Sequence, residues 1–176
     1  MALVLALGGC ATLSESECQR GDWYAIGARD GRSGHTSERL SDHGKACAKH
    51  GLGVDGRAYD AGYTEGLREF CTPLRAFTLG RDGGTYYRQC PSDTEGDFLA
   101  AYDLGRDVHL AEQELAQLEQ EIESLRKEIA DEKTTASARD IAEQRLRYVR
   151  NDLDRRERDR DALLERARRR GYGNVW

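Results

Sequence analysis

The chain has 176 residues, a net charge of −5, and 34% charged against 7% aromatic residues. That is lean in large apolar side chains for one compact core of this length, and the negative balance argues against nucleic acid as a partner. Beyond the first few residues no apolar run approaches the roughly 18 residues a membrane-crossing helix needs.

The N-terminus opens with an apolar run from Ala2 to Leu7, followed by Leu7-Gly8-Gly9-Cys10 and then a polar stretch from Thr12. Small residues ahead of a cysteine are the layout of a bacterial lipoprotein signal, in which the thiol takes a diacylglycerol before cleavage. The expectation is a signal remnant over 1–9, lipidation at Cys10 and a lipidated linker over 10–17. Only nine residues precede Cys10 and none is basic, whereas a secretory signal normally starts with a Lys/Arg-bearing region. A chance cysteine, or a true start further upstream, are the two alternatives. Acyl chains at about 0.8 kcal/mol per buried CH₂ would hold the protein on a membrane. Ala11, rather than aspartate, after the cysteine points to the outer membrane, facing the periplasm, by the sorting rule of enteric lipoproteins.

Glycine, tyrosine and cysteine concentrate before Gly105, which marks residues 18–105 as a small head. A Tyr-x-x-Gly pattern recurs there at Tyr24–Gly27, Tyr59–Gly62, Tyr63–Gly66 and Tyr102–Gly105, with further glycines at Gly31 and Gly66. Glycines at i and i+4 clear one helix face for close approach of another backbone, at a cost of about 1 kcal/mol each relative to alanine. The spacing predicts short helices near Gly21–Arg32, Thr36–His50, Asp55–Cys71 and Asp93–Gly105, with a loop or tight hairpin over Gly80–Gly84. Four cysteines fall at element ends. An antiparallel first pair brings Cys18 near Cys47, and the loop through Gly83-Gly84 brings Cys71 near Cys90; the other two connectivities stay open. Paired cysteines imply an oxidising compartment.

From Asp107 the composition turns to Glu, Arg and Leu. Leu104, Val108, Ala111, Leu115, Leu118, Ile122, Leu125 and Ile129 alternate steps of four and three, a sustained heptad seam. After a polar stretch in which Ser137 and Asp140 can cap a new helix, Ile141, Ala142, Leu146, Val149, Leu153, Leu163, Leu164 and Ala167 form a second stripe. Folding back near Thr135 sets Ile129 beside Ala142, Ile122 beside Val149 and Leu118 beside Leu153. Nine acids and two basic residues lie between Asp107 and Glu132, against eleven arginines and six acids between Arg145 and Arg170. The expectation is an antiparallel helical hairpin (coiled coil) over 106–170, about 45–50 Å long, with a tail at 171–176. Two alternatives are a parallel assembly of the first seam with copies of itself, and an arginine-rich amphipathic helix lying on anionic lipid or phosphate.

His43, Cys47 and His50, at i, i+4 and i+7, share one helical face with ligand-like spacing for zinc or copper. Against that, an oxidising compartment pairs Cys47 in a disulfide and leaves both histidines flanking it at the surface, so no metal or other cofactor is expected. Asp30, Asp42, Asp55 and Asp60 include candidates for a catalytic pair, but aspartate beside glycine more often caps or turns. Asp22, Trp23 and Asp30 make a candidate groove for peptidoglycan or a peptide, with a core tryptophan as the plainer reading.

The run Cys18-x-x-x-Asp22-Trp23-x-x-x-Gly27-x-x-Asp30-Gly31, then His43-x-x-x-Cys47, Tyr59-x-x-Gly62-x-x-x-Gly66-Leu67, Cys71, Tyr86-x-x-x-Cys90 and Tyr102-x-x-Gly105, resembles the bacterial lipoprotein family labelled domain of unknown function 2799. The resemblance covers about 18–105 and implies an envelope protein with no known activity. It does not reach the arm. The expected fold is therefore all-α, a disulfide-stapled helical head followed by a long hairpin. The expected role is that of an envelope lipoprotein, membrane-held by its N-terminal lipid, with residues 106–170 meeting an envelope protein or a second copy, and with no catalytic residues. The alternative is a metal-binding or hydrolytic head that uses the arm for oligomerisation.

Overall fold

The computed structural model describes residues 12–173. The expected signal remnant 1–9, Cys10, and residues 174–176 of the tail lie outside the described residues. Every regular element among the described residues is a helix, and by packing the chain divides into two units. One comprises the chain up to Thr72 together with Tyr86–Gly96; the other comprises Pro73–Thr85 and the chain from Asp97 onward.

The first unit holds α1 (Glu15–Arg20), α2 (Trp23–Arg32), α3 (Arg39–Ala48) and α4 (Gly56–Phe70). Each start has a chemical reason. Ser14 accepts from the Glu17 N–H while the Glu17 carboxylate takes the Ser14 N–H, a reciprocal capping box. Asp22 and Asp55 cap α2 and α4 by accepting from Ala25 N and Ala58 N at 3.1 and 3.0 Å. Helix α1 begins within the 10–17 stretch expected as a linker and runs on to Arg20; the signal for it is Ser14-x-x-Glu17. The α2–α4 crossing organises this unit. A methyl on Gly27 would overlap the Tyr59 carbonyl, one on Gly62 the Tyr24 carbonyl, one on Gly31 the Tyr63 carbonyl and one on Gly66 the Ala28 carbonyl. Both helices advance together along this contact, so they run parallel, backbone against backbone. Trp23, Ile26, Tyr59, Leu67 and Phe70 fill the core around it. Cys18 is bonded to Cys47, tying α1 to α3, and Cys71 is bonded to Cys90, tying the end of α4 to the segment that returns from the second unit.

The second unit contains α5 (Pro73–Arg81), the greater part of α6 (Ser92–Ala130) and α7 (Ala136–Arg169). Helix α5 falls where no helix was expected, and it takes in Gly80 and Arg81 of the expected Gly80–Gly84 loop. Proline suits a first helical position, and Gly80 is in the helix because its missing side chain admits the Tyr102 carbonyl. Gly105, expected to end a helix, sits mid-way along α6 for the reciprocal reason: a methyl there would overlap the Phe77 carbonyl. Phe77, Phe98, Ala101 and Val108 are fully enclosed, and the rings of Phe77 and Tyr172 stack with centroids 5.1 Å apart.

Further along, Ile122, Leu125, Ala142 and Val149 form a buried cluster, with Leu118, Ile129, Leu146 and Leu153 packed against it. That is an antiparallel hairpin turning through Asp131–Thr135. Ion pairs cross it from Arg145 to Glu121 at 2.7 Å and from Arg156 to Glu114 at 3.1 Å. The cap of α7 is Thr135, whose hydroxyl accepts from Ala138 N, and not Ser137, which lies inside the helix.

Candidate functional site

Among the described residues, enclosed polar chemistry in the first unit gathers on Asp30 and His43, a buried carboxyl group and a buried imidazole. Asp30 projects from α2 with 3% exposure, and His43 from α3 with none. The His43 Nε2 lies 2.6 Å from Asp30 Oδ2, and the Tyr59 hydroxyl donates to the same oxygen at 3.0 Å. Arg39 Nε stands 3.7 Å from Asp30 Oδ1, a countercharge one helical turn from His43. Across the ring, His43 Nδ1 meets Thr12 Oγ1 at 2.8 Å. Both ring nitrogens of His43 thus have a polar partner, one on the Asp30 carboxyl group and the other on the threonine hydroxyl. Burial, then the Asp30 charge, raises the Tyr59 phenol well above its ordinary range, so it stays a donor. Burial and the nearby Arg39 charge push the His35 imidazole below its usual value. Glu17 is held at about 2 by the Ser14 backbone N–H, then the Ser14 hydroxyl and Arg29.

A hydroxyl, an imidazole and a carboxylate in line are the parts of a nucleophile relay. Here the ring has no exposed face to offer a substrate, and both ring nitrogens and Asp30 Oδ2 are spent on neighbours. The arrangement is a brace: it satisfies a buried carboxylate and fastens the segment at Thr12 to α2, α3 and α4. Leu13, 3% exposed, is seated beside it in the sequence.

The other residues singled out from sequence are not gathered here. His43, Cys47 and His50 make no ligand set: Cys47 is in a disulfide, both His43 nitrogens are occupied, and the His50 ring faces Glu15 at 3.6 Å. His43 is also enclosed rather than flanking the disulfide at the surface, because Asp30 and Tyr59 draw it inward. Among the described residues no group of three His, Cys, Asp or Glu side chains is placed to hold a metal ion. The candidate groove of Asp22, Trp23 and Asp30 does not form. Asp22 caps α2 at the surface, Trp23 is 5% exposed in the core, and Asp30 is in the brace. An open depression of about 370 Å³ runs beside Asp22, lined by Glu17, Arg20, Ala25, Ile26 and Arg29, without Trp23 or Asp30. Asp55 is a cap, and Asp42 pairs with Lys45, whose hydrogen bond and then charge hold its carboxyl below the usual value. Sequence reasoning missed Thr12, for which the chain carries no local signal.

Residues 22–107 match a family described as protein of unknown function (DUF2799). Over this stretch the chain belongs to the DUF2799 family. The match takes in Asp30, His43, Tyr59, both glycine crossings and Cys47, Cys71 and Cys90; of the heptad seam it includes only Leu104, and Thr12 and Cys18 precede it. No curated protein and no solved structure matches the chain.

Proposed function

We propose that this DUF2799 protein is an envelope lipoprotein, held on the outer membrane by an acylated Cys10 and facing the periplasm. Its hairpin, residues 106–170, serves a structural or protein-interaction role, with an envelope protein or with a second copy. The observation that carries the reading is the use of cysteine. Four of the five are consumed in two disulfides, chemistry that persists in an oxidising compartment, and Cys10 alone follows the small residues of a lipoprotein signal. Among the described residues no helix is long and apolar enough to cross a membrane, so attachment rests on the lipid. The hairpin supports the second half of the reading. It presents exposed Ile141 and Tyr148 one heptad apart on α7, beside a seam already closed within the chain.

The test is metabolic labelling with palmitate of the protein carrying a complete signal. Label and membrane retention, both lost in Cys10→Ser, are expected; retention without Cys10 refutes the anchor. Crosslinking in the envelope followed by purification identifies what the hairpin meets, and a hairpin deletion that leaves the crosslinked set unchanged refutes its role.

A further inference from the structure

We propose that the Thr12–His43 brace sets the disulfide-bonded first unit directly against the phospholipid headgroups, with the start of α1 as the contacting surface. This rests on the acylation of Cys10. Only Ala11 stands between Cys10 and Thr12, and the chain is already fastened at Thr12. Its hydroxyl is 2.8 Å from the enclosed His43 ring, Leu13 is buried, Ser14 caps α1, and Cys18 is bonded to Cys47. Two residues fully extended span about 7 Å. The headgroup layer, taken as half the difference between the whole bilayer and its hydrocarbon core, is roughly 5–8 Å thick. A lipid anchored at Cys10 therefore leaves no length for a linker: the reach is spent in clearing the headgroups, and Thr12 emerges at their outer edge.

The acids of α1 have partners within the protein: Glu17 is paired with Arg29 at 3.0 Å, and Glu15, the more exposed of the two, accepts from Gln19 Nε2 at 3.0 Å. The Asp30 carboxylate that orients His43 is enclosed, so the brace is screened from the ionic layer it adjoins.

The experiment uses the full, acylated protein in vesicles of phosphatidylethanolamine and phosphatidylglycerol, with the photo-crosslinking residue p-benzoylphenylalanine replacing Glu15 or, separately, Ser16. Lipid adducts are expected at one or both. They should fall at least about fivefold when a spacer of about 20 Gly/Ser residues, with a mean reach of roughly 25 Å, is inserted between Ala11 and Thr12. Thr12→Val, which removes the hydroxyl and leaves the disulfides in place, should lower the adduct yield toward that of the spacer variant. An acylated, vesicle-bound protein that gives no lipid adduct at either position overturns the inference while leaving the lipoprotein reading intact. Absence of the acyl group on Cys10 by mass spectrometry removes both. An unchanged yield in Thr12→Val overturns the part assigned to the brace.

Discussion

Replacing Gly62 by alanine separates two forces that act in opposite directions. By helix propensity the change stabilises α4 by about 1 kcal/mol, since glycine is the costliest ordinary residue within a helix. By packing it destabilises, because the new methyl would lie on the Tyr24 carbonyl of α2. A side chain can turn away from such an overlap. A carbonyl held in a helix cannot, so two helices must part along their whole contact, and the cost falls at or above the top of the usual range of about 1–3 kcal/mol for overpacking. The net expectation is a loss of about 2 kcal/mol. With a urea dependence near 2 kcal/mol per molar, the unfolding midpoint of the oxidised protein drops by about 1 M, read by far-ultraviolet circular dichroism. Gly96→Ala is the matched comparison. It too lies within a helix, but its methyl would meet nothing within 4 Å, so it should stabilise by about 0.5–1 kcal/mol. Gly27→Ala should resemble Gly62→Ala, and the double variant should lose less than the sum, since helices already parted do not clash again. A Gly62→Ala protein as stable as the parent refutes the close crossing.

In the hairpin, Ile122→Asp places an unpaired charge in the cluster with Val149 and should cost about 3–5 kcal/mol by urea titration, whereas exposed Glu119→Ala stays within about 0.5 kcal/mol. Thr12→Val leaves the enclosed His43 Nδ1 without its partner and should destabilise the first unit by about 1–3 kcal/mol, visible as faster hydrogen exchange through α1. Replacing both Cys18 and Cys47 by serine removes a bridge between residues 29 apart and should cost about 3–4 kcal/mol by loop-closure entropy. Acid should weaken the first unit in two stages. His35 is lowered by burial, so its neutral form is favoured in the folded state, and its contribution, full above pH ~6.5, is lost as pH falls through its depressed value. Glu17, held at about 2 against an ordinary value of 4.5, contributes above pH ~4.5 and is lost as pH falls toward 2. His35→Gln should abolish the first stage alone in thermal melts taken across pH 4–8.

What the sequence revealed and what it hid follow from the range over which each signal acts. The hairpin is legible because an apolar side chain every 3.5 residues is a local statement repeated many times, and the partner stripe carries the same statement with opposite charge. The glycine crossings are half legible. Tyr-x-x-Gly announces a close approach but not its partner, and a fifth member of the set, Phe77-x-x-Gly80, escapes a pattern written with tyrosine. Helix α5 is short, and its glycine reads as a breaker until the Tyr102 carbonyl fills the notch. The same logic ends α6 at Gly105 on paper and carries it through in the structure. The brace is the least legible feature. Asp30 reads as a turn residue beside Gly31, His43 as a surface neighbour of a disulfide, and Thr12 as linker; only the packing of α2 against α3 gives the three a common address.

The Cys71–Cys90 bond has a mechanical consequence. The chain leaves the first unit after Thr72 and returns at Tyr86, so the bond closes α5 and its loop into a covalent ring ahead of the point where α6 departs. Tension applied between the N-terminus and the hairpin passes from Cys71 to Cys90 through sulfur and bypasses the residues between them. The backbone of α5 then carries no tension, and a proteolytic nick within Pro73–Thr85 severs a backbone without parting the molecule. However far the ends are pulled, the chain releases none of the length between Cys71 and Cys90 until the bond is reduced.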